Sequence, residues 1–393
     1  MSDKTAQLTA ASNKIWTRDF LFICFANFFI FLGYQMTLPT IPLFVEYLGG
    51  NDQLIGIVVG IFTFSALFIR PWAGHALETK GRRFIYLFGL AVFVISVGSF
   101  TIVTSLFFLI LMRIVQGIGW GLSTTAGGTI VTDLIPKKRR GEGMGYFGLS
   151  GNIAMAFGPA FGLVLITIAN FHILFFICAF FGAAALLFSS FIRYKPVESI
   201  TVQMPRTKWD FYEKSAFKPA ILFFFITLTY GGIASFLPLY AIEAGVKGIE
   251  WYFFYFAISV MISRTFGGRL YDRRGIRVIF IPGAISMILG MLLLTLLVHE
   301  WMLISAALFY GLGFGMVHPA LHTWAMNRAP SERKGMANAT FYSFIDLGIG
   351  LGAMLFGFIP NFLGYSGIYA TAVLFIIISI ILYICFMKKE FGT

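Results

Sequence analysis

The sequence predicts an all-α membrane protein of 12 transmembrane helices, arranged as two pseudo-symmetric six-helix bundles. Apolar residues make up 58% of the chain and charged residues only 12%, and the apolar residues are spread over its whole length. A soluble fold could not bury that much apolar surface in one core. The chain also contains twelve separate apolar runs, and its second half repeats the pattern of the first.

The twelve runs are each about 20 residues long, enough to cross roughly 30 Å of hydrocarbon as a helix. We place them at residues 19–45, 54–77, 84–103, 107–132, 142–167, 172–192, 217–242, 251–270, 278–298, 302–326, 336–360 and 366–387. A long polar segment separates the sixth run from the seventh. It divides the chain into a first domain at 1–192, a cytoplasmic linker at 193–216 and a second domain at 217–393.

The internal repeat has an offset of 194 residues and needs no gap. It carries Gly74 onto Gly268, and it carries the glycine-rich segment 117–121 onto 311–315. Two copies of one membrane unit predict a pathway for a small molecule between them.

The basic residues predict the orientation in the membrane. Of the 29 Lys and Arg residues, 25 lie in the two tails and in alternate loops, whereas the opposite set of loops holds only Lys247. Because basic loops stay in the cytoplasm, both termini are expected there, in a multi-pass protein of a bacterial cell membrane. The net charge of +12 then faces anionic headgroups, so membrane lipids are expected partners and nucleic acid is not.

No cofactor or metal site is expected from the sequence. Cys24, Cys178 and Cys385 lie inside apolar runs that are far apart, so they predict neither a disulfide framework nor metal ligation. Residues 1–17 are polar and carry no leader pattern, so the first helix is expected to be retained. The chain has no G-x-x-x-x-G-K-[ST] loop, and ATP is therefore not the expected energy source.

The loop after the second run carries a motif. Residues 74–83 read GHALETKGRR, and the repeated segment 268–277 reads GRLYDRRGIR. Both resemble the G-x-x-x-D-[RK]-x-G-[RK]-[RK] signature of the major facilitator superfamily, and the resemblance covers essentially the whole chain. The first copy departs from the signature, since Glu78 replaces the usual Asp and Thr79 the usual basic residue.

These two loops predict a cytoplasmic gate. Glycines allow a neighbouring helix to approach closely, and an acid beside clustered arginines can form interhelical ion pairs that hold one closed arrangement. The predicted gate residues are Gly74, Glu78, Gly81, Arg82, Arg83, Gly268, Asp272, Arg273, Gly275 and Arg277. The alternative is that the basic residues only set the topology. We expect Arg70 and Arg264, about one turn inside the loops, to reach the interface or to join this network.

Arg113 begins the segment RIVQG in the fourth run. This segment resembles the R-x-x-Q-G motif of proton-coupled members of the superfamily, which implies a role for Arg113 in proton transfer. The repeat places Ala307 at the equivalent position. A buried arginine is costly, so Arg113 must face water, a carboxylate or backbone carbonyls. The alternative role is a structural anchor between helices.

The fifth run contains Gly158, Pro159 and Gly162, which we predict to form a hinge. The segment resembles the G-x-x-x-G-P-x-x-G-G motif that the superfamily associates with exporters, although Ala154 and Leu163 replace two of its glycines. Proline removes one backbone hydrogen bond, and small residues permit close packing, so this helix can bend or slide. The motif favours export over import.

Asp346 lies near the middle of the eleventh run, about 15 Å from its cytoplasmic end, and no other acid lies at that depth. The repeat pairs it with the neutral Asn152. Burial disfavours the charged form of a carboxyl group, so we predict that Asp346 binds and releases the coupled proton, with Arg113 tuning it. The alternative is a carboxylate satisfied by a neighbouring hydroxyl or arginine.

The distribution of polar side chains predicts a cavity between the two halves. The third, sixth, ninth and twelfth runs carry few polar residues, and in the superfamily these helices lie at the periphery. The predicted cavity residues are Asn27, Tyr34, Gln35, Gln116, Asn152, Tyr255, Ser259, His318 and Tyr342. His318 and His322 are four residues apart and either titrate near neutral pH or donate hydrogen bonds; without a third ligand they do not predict a metal site.

The resemblance implies a secondary transporter that works by alternating access, not an enzyme. We expect proton-coupled efflux, by antiport, of small lipophilic or cationic compounds, and a protein that acts as a monomer. The alternative within transport is a sugar or metabolite permease, proton-coupled or a facilitator. A sensor or an intramembrane enzyme is a further alternative, but the chain has no G-x-S-x-G or H-E-x-x-H pattern for hydrolysis.

Overall fold

The computed structural model describes residues 15–136, 139–194, 212–330 and 333–391, and in these ranges the regular structure is entirely helical. Twelve long helices follow one another along the chain. They are α1 (Arg18–Tyr47), α2 (Asp52–Thr79), α3 (Arg82–Ser99), α4 (Leu106–Leu134), α5 (Arg140–Ile168), α6 (Phe171–Ser190), α7 (Phe217–Glu243), α8 (Ile249–Arg274), α9 (Arg277–Thr295), α10 (Glu300–Arg328), α11 (Lys334–Phe356) and α12 (Pro360–Phe391). Each coincides with one predicted apolar run. Most of the predicted linker, residues 195–211, lies outside the described residues.

Side-chain caps set the starts of four helices in the first half. The oxygens of Thr17, Asn51, Ser105 and Asn170 each accept a hydrogen bond from the backbone N–H three residues later. These N–H groups have no partner inside the helix, so a capping oxygen removes the cost of leaving them unpaired. Short polar residues between apolar runs therefore place the helix boundaries.

Eleven of the described helices are long and apolar enough to cross a membrane. α8 has a similar length but is less apolar, because charged residues crowd its last three turns. It packs against α10 and against α5, so much of its surface contacts protein. The predicted all-helical fold of twelve helices is confirmed.

The helices pack in pairs that recur six helices later. In the first half α1 packs against α5 and α6, α4 against α2 and α3, and α3 against α6. The second half repeats these pairs as α7 with α11 and α12, α10 with α8 and α9, and α9 with α12. The two halves meet along α2 and α11, along α5 and α8, and where α1 approaches α7. The sequence repeat is therefore also a repeat of packing.

A glycine triplet in α4 and its copy in α10 explain why the same pairs recur. The backbone of Phe62 on α2 lies directly against Gly117, and the backbone of Phe256 on α8 lies directly against Gly311. These contacts are related by the 194-residue offset in both partners. A side chain at either glycine would push the neighbouring helix away, so the repeated glycines preserve the same close approach in both halves.

The two halves are closed against each other at one end of the bundle. We call the end with the α2–α3, α4–α5, α8–α9 and α10–α11 loops the basic side, and the other end the opposite side. Near the opposite side, the Tyr365 hydroxyl donates to Asp52 Oδ1 at 2.7 Å, and Gly56 on α2 packs against the backbone of Ala353 on α11. Near the midpoints of α5 and α8, a cavity of about 350 Å³ lies between these two helices.

We expect Gly119→Ala to destabilise the protein, because the added methyl group would lie 2.6 Å from the backbone nitrogen of Phe93 and 2.9 Å from the carbonyl oxygen of Gly89. Overpacking of this kind costs about 1–3 kcal/mol. Gly128→Ala is the matched control on the same helix, since its added methyl group has no described heavy atom within 4 Å. Thermal unfolding of the purified variants compares them, and equal Tm values would contradict close packing at Gly119.

Candidate functional site

An ion pair joins the two halves in the middle of the bundle. Arg70 on α2 donates from Nη2 to Oδ2 of Asp346 on α11 at 2.6 Å, and its Nη1 donates to Oγ1 of Thr124 on α4 at 3.2 Å. Each side chain of the pair is 19% exposed. Asp346 lies about 18 Å along α11 from its first residue. Of the salt bridges between described residues, this one connects the halves.

The pair corrects the expectation for Arg70. Its guanidinium does not extend to the membrane interface but turns inward to Asp346. An arginine and a carboxylate that share a hydrogen bond stabilise each other's charged forms in a poorly solvated site. The contact corresponds to the alternative that a neighbouring arginine satisfies Asp346.

Arg113 is buried away from this pair. Only 2% of the residue is exposed, its Nε donates to the carbonyl oxygen of Val58 at 3.0 Å, and its Nη1 donates to Gln116 Oε1 at 2.6 Å. The guanidinium also lies over the Phe62 ring, 4.4 Å from the centroid. These neutral groups disperse the charge and tie α4 to α2. Gln116 is likewise occupied by this contact and is fully buried.

Aromatic rings cluster in the first half near the ion pair. Tyr34 stacks on Trp120 with ring centroids 4.2 Å apart and on Phe62 at 5.1 Å, while Phe31 contacts Trp120 at 4.8 Å. The Tyr34 hydroxyl lies within electrostatic range of Asp346, Arg70 and Arg113. We call this cluster the aromatic wall; Tyr34 and Phe31 are partly exposed in it, whereas Trp120 and Phe62 are buried.

The second half places a polar group around Arg264 on α8. Its Nη2 lies 3.3 Å from His318 Nδ1 on α10, and His322 Nε2 lies 2.8 Å from Asn338 Oδ1 on α11. Tyr342 on α11 is exposed and lies within electrostatic range of Arg264 and of the Arg70–Asp346 pair. Arg264 thus points into the bundle and does not join a loop network among the described residues.

Arg264 and Asn152 line the same cavity between α5 and α8, which we call the α5–α8 cavity. Its wall is otherwise apolar and includes Met155, Phe256 and Val260. Among the described residues, no three His, Cys, Asp or Glu side chains lie together as metal ligands would. The cavity therefore combines a guanidinium, an amide and an apolar surface, which suits an amphipathic organic molecule.

Other predicted cavity residues are occupied by contacts between helices. Asn27 donates to Ser150 Oγ at 2.9 Å on α5, and Gln35 is buried against α5. Ser259 is also buried and donates to the Leu308 carbonyl at 2.8 Å, so it packs between α8 and α10 and does not line the cavity. Tyr255 is partly buried beside Trp251 near the opposite side.

The loops of the predicted gate turn at glycines. Gly81 has φ 90° and Gly275 has φ 71°, a region that favours glycine, and both lie where one helix ends and the next begins. Arg82 pairs with Asp133 at the end of α4, with Nε 2.5 Å from Oδ2. This interhelical ion pair lies within the first half and does not bridge the two halves.

The remaining gate residues lie at the basic side of the bundle. No described heavy atom lies within 4 Å of a methyl group built on Gly74, so the predicted close helix approach is absent there in this conformation. Arg83 is exposed at the start of α3, and Arg277 at the start of α9. The side chains of Glu78, Asp272 and Arg273, and the surroundings of Gly268, lie outside what the structure describes.

The predicted hinge residues form a contact between α5 and α1. A methyl group on Gly158 would lie 2.6 Å from Gln35 Cβ, and one on Gly162 would lie 2.6 Å from the Met36 carbonyl oxygen. Pro159 lies between them inside the continuous helix α5. The small residues therefore let the two helices touch along their backbones.

Two interactions were not anticipated from the sequence. Asp133 neutralises Arg82, and Glu213 Oε2 lies 2.7 Å from Arg333 Nε, which fixes the start of α7 to the α10–α11 loop. Both acids lie close to clusters of basic residues in the sequence, and this proximity was the sequence feature that could have indicated ion pairs. Their choice of partner depends on where distant helices end.

Comparisons with known proteins extend along nearly the full chain. A family model described as Major Facilitator Superfamily matches residues 23–353 and also 220–392. The chain is similar to an uncharacterized MFS-type transporter of Methanocaldococcus jannaschii, with 26% identity over 375 residues, 92% of this chain and 96% of the relative. It is also similar to the quinolone resistance protein NorA of Staphylococcus aureus, with 25% identity over 353 residues, 86% of this chain and 89% of NorA.

The fold is similar to that in the crystal structure of a POT family transporter in complex with 5-aminolevulinic acid. The TM-score is 0.76 at 13% sequence identity, and the match covers 97% of this chain and 99% of that chain. The architecture therefore agrees over nearly all of both chains although few residues are identical.

A double-mutant cycle tests the ion pair between the halves. Arg70→Gln or Asp346→Asn alone leaves one charge in a poorly solvated site, so we expect each to destabilise the protein by about 1–3 kcal/mol. The double variant removes both charges and should lose less than the sum of the single losses. Thermal unfolding provides the comparison. Losses that simply add would show that the two side chains do not interact in the folded protein.

Proposed function

This chain belongs to the Major Facilitator Superfamily and is a multi-pass membrane transporter, not an enzyme, and on that premise we propose that it exports small lipophilic compounds in exchange for protons. The observation that carries this proposal is the Arg70–Asp346 ion pair, because it places a titratable carboxylate at the seam between two helical bundles. Similarity to a quinolone resistance protein supports export of a drug-like compound.

Proton coupling follows from the charge on Asp346. A proton that binds Asp346 neutralises the carboxylate and removes the counter-charge of Arg70. The contact between α2 and α11 then loses its ionic component, and the two bundles are free to rock relative to each other. Release of the proton on the other side restores the pair. In this mechanism Arg70, and not Arg113, is the partner that tunes Asp346.

Arg113 is better suited to hold α2 and α4 together while the bundles move. Its donors are used by a backbone carbonyl and by Gln116, and it is sealed from the cavity. A guanidinium in this position fixes the wall that carries Tyr34 and Trp120. The role we propose for Arg113 is therefore positional.

The orientation we propose places the basic side in the cytoplasm, with both termini there, in a bacterial cell membrane. In this orientation the α5–α8 cavity lies on the cytoplasmic side of the packed contacts at Asp52 and Gly56, which close the outside. The conformation is then ready to take up substrate from the cell. We also propose that residues 1–192 and 217–393 move as two units within a monomer.

The substrate class that we propose is lipophilic. Tyr34, Trp120 and Phe31 provide an aromatic wall beside the central charges. Among the described residues of the helix interiors, the carboxylate of Asp346 is already paired with Arg70, so no free acid is available to hold a cation. The geometry therefore supports lipophilic substrates more than cationic ones.

The gate and the hinge have proposed roles in the rocking motion. The Arg82–Asp133 pair holds the α2–α3 loop against α4, so that the first bundle moves as a unit. The backbone contact of Gly158 and Gly162 with α1 provides a smooth surface along which α5 can slide. Glu78, Asp272 and Arg273 would complete the gate when the basic side closes.

Proteoliposomes that contain a trapped pH dye test the coupling. Addition of a transported lipophilic compound is expected to trigger proton movement with wild-type protein and none with Asp346→Asn, which has no titratable group at the seam. A membrane potential of about 100 mV supplies roughly 2.3 kcal/mol per proton, enough for active transport. Glu300→Gln, which removes an exposed acid at the start of α10, is the matched control.

Two outcomes would contradict proton-coupled export. Substrate movement without proton movement in the wild type would identify a facilitator. Wild-type coupling in Asp346→Asn would place the proton site elsewhere. Sugars are tested in the same assay, since a response to them alone would identify a permease for metabolites.

Cysteine labelling tests the orientation. Thr79 on the basic side and Lys247 on the opposite side are both exposed, so each can carry a single cysteine in a chain that lacks Cys24, Cys178 and Cys385. A membrane-impermeant maleimide is expected to label the Lys247→Cys variant in intact cells and both variants after permeabilisation. Labelling of Thr79→Cys alone in intact cells would reverse the proposed orientation.

A further inference from the structure

The surroundings of Arg70 are duplicated in the second half. The 194-residue offset carries Arg70 onto Arg264 and Thr124 onto His318. The contacts are duplicated as well, since Arg70 donates to Thr124 and the guanidinium of Arg264 lies 3.3 Å from His318 Nδ1. Each half therefore holds an inward-pointing arginine at this equivalent position, in contact with a neutral side chain of a neighbouring helix.

The two sites differ in the side chain that faces each arginine from the other half. Across the α2–α11 seam, Arg70 meets Asp346 at 2.6 Å. Across the α5–α8 seam, Arg264 shares its cavity with Asn152, which the repeat places in the position of Asp346. The first site is thus a closed ion pair, and the second has an amide where the first has a carboxylate.

No group among the described residues neutralises Arg264. Arginine has no acceptor, so in its contact with His318 it must be the donor, and His318 Nδ1 must be unprotonated. His318 is then neutral and supplies no counter-charge. The Nε of Arg264 is buried and has no hydrogen-bond partner among the described residues. A guanidinium in this state is costly inside a membrane until an anion binds it.

The cavity at Arg264 has room for such an anion and for the body of the molecule that carries it. Its volume is about 350 Å³, and its wall beside the arginine is apolar, with Met155, Phe256 and Val260. Small-molecule sites typically combine a mainly apolar wall with a few polar groups that fix orientation. Asn152 supplies an amide next to the position where the anion would lie.

We propose that the α5–α8 cavity binds an amphipathic organic anion or zwitterion, with its carboxylate on Arg264 in the position that Asp346 occupies on Arg70. The substrate thereby completes the second of two pseudo-symmetric ion pairs. The apolar body of the substrate lies against α5 and α8. This inference rests on the proposed transport function and specifies its substrate class.

Matched fluorescent probes test the inference by binding alone. Dansylglycine, its neutral amide and a dansyl derivative that ends in a trimethylammonium group share one ring system and differ in charge. Each is titrated against the full-length protein in phosphatidylcholine nanodiscs. Because charge-assisted hydrogen bonds are the strong ones, we expect the carboxylate probe to bind the wild type at least about tenfold more tightly than either of the others.

Two substitutions remove the preference in different ways. Arg264→Gln removes the cation, and Asn152→Asp supplies an internal carboxylate that occupies Arg264 as Asp346 occupies Arg70. Both variants should bind the carboxylate probe and the amide probe with similar affinity, while retained binding of the amide probe shows that the cavity is intact. Arg264→Lys keeps the charge and should retain part of the preference. Arg274→Gln, at the exposed end of α8, should retain all of it.

Several results would overturn the inference. One is tighter binding of the cationic or the neutral probe than of the carboxylate probe by the wild type. Another is an unchanged preference for the carboxylate probe in Arg264→Gln or Asn152→Asp.

Nanodiscs that contain half phosphatidylglycerol test whether the anion is a lipid headgroup, because Leu149 and Met261 at the cavity edge are exposed. Displacement of the carboxylate probe by this lipid in wild type, but not in Arg264→Gln, would assign the site to a headgroup.

The same measurements separate this inference from the proposed function. If the carboxylate probe binds through Arg264 but triggers no proton movement in proteoliposomes, proton coupling fails and the binding site stands. If the neutral or cationic probe is exported with proton exchange and the carboxylate probe does not bind, the export function stands and the inference fails. If no probe binds, the α5–α8 cavity is not a substrate site.

Discussion

A charged side chain inside the hydrocarbon region needs a partner. This requirement explains the contacts at the centre of the helical bundle. Arg70 and Asp346 neutralise each other across the seam between the two six-helix halves. Because the partners belong to different halves, their hydrogen bond exists only while α2 and α11 lie side by side. An ion pair inside one half, such as Arg82 with Asp133, can remain intact while the halves move. The central pair is therefore linked to the relative position of the bundles.

The helix packing is duplicated between the two halves, whereas some of the charged residues are not, and the two features have different physical origins. Glycines at the α2–α4 and α8–α10 contacts recur because any side chain there would separate the helices, and the same packing requires the same small residue in both halves. Charged side chains are under no such requirement. Arg113 has Ala307 as its counterpart, and Asp346 has Asn152. The two halves thus share the same helix packing. They differ in charge at the seam, where Asp346 lies, and at Arg113 in the first half.

Three arginines in the helix interiors show three ways to accommodate a cation in a membrane protein. Arg113 is surrounded by a carbonyl, an amide and an aromatic ring, which makes it part of the structure. Arg70 is paired with a carboxylate from the other half. Arg264 has only neutral contacts with described residues and opens into a cavity. Position in the scaffold, and not residue type, decides whether an arginine is enclosed, paired with an acid or open to a cavity.

The twelve helices, their approximate positions and the duplicated architecture were predictable from the sequence, because the length of each apolar run and the 194-residue repeat can be read directly from the chain. It also singled out Asp346, since an acid in the middle of an apolar run is visible without a structure. The partner of Asp346 depends on the tertiary structure, because Arg70 is 276 residues away and the sequence predicted that Arg70 would reach the interface or join the loop network. Likewise, the sequence predicted Ser259 to line the cavity, but in the structure Ser259 is buried against α10. A polar residue in a membrane helix can be identified from the sequence. Which neighbouring helix its side chain contacts depends on how the helices are rotated relative to one another.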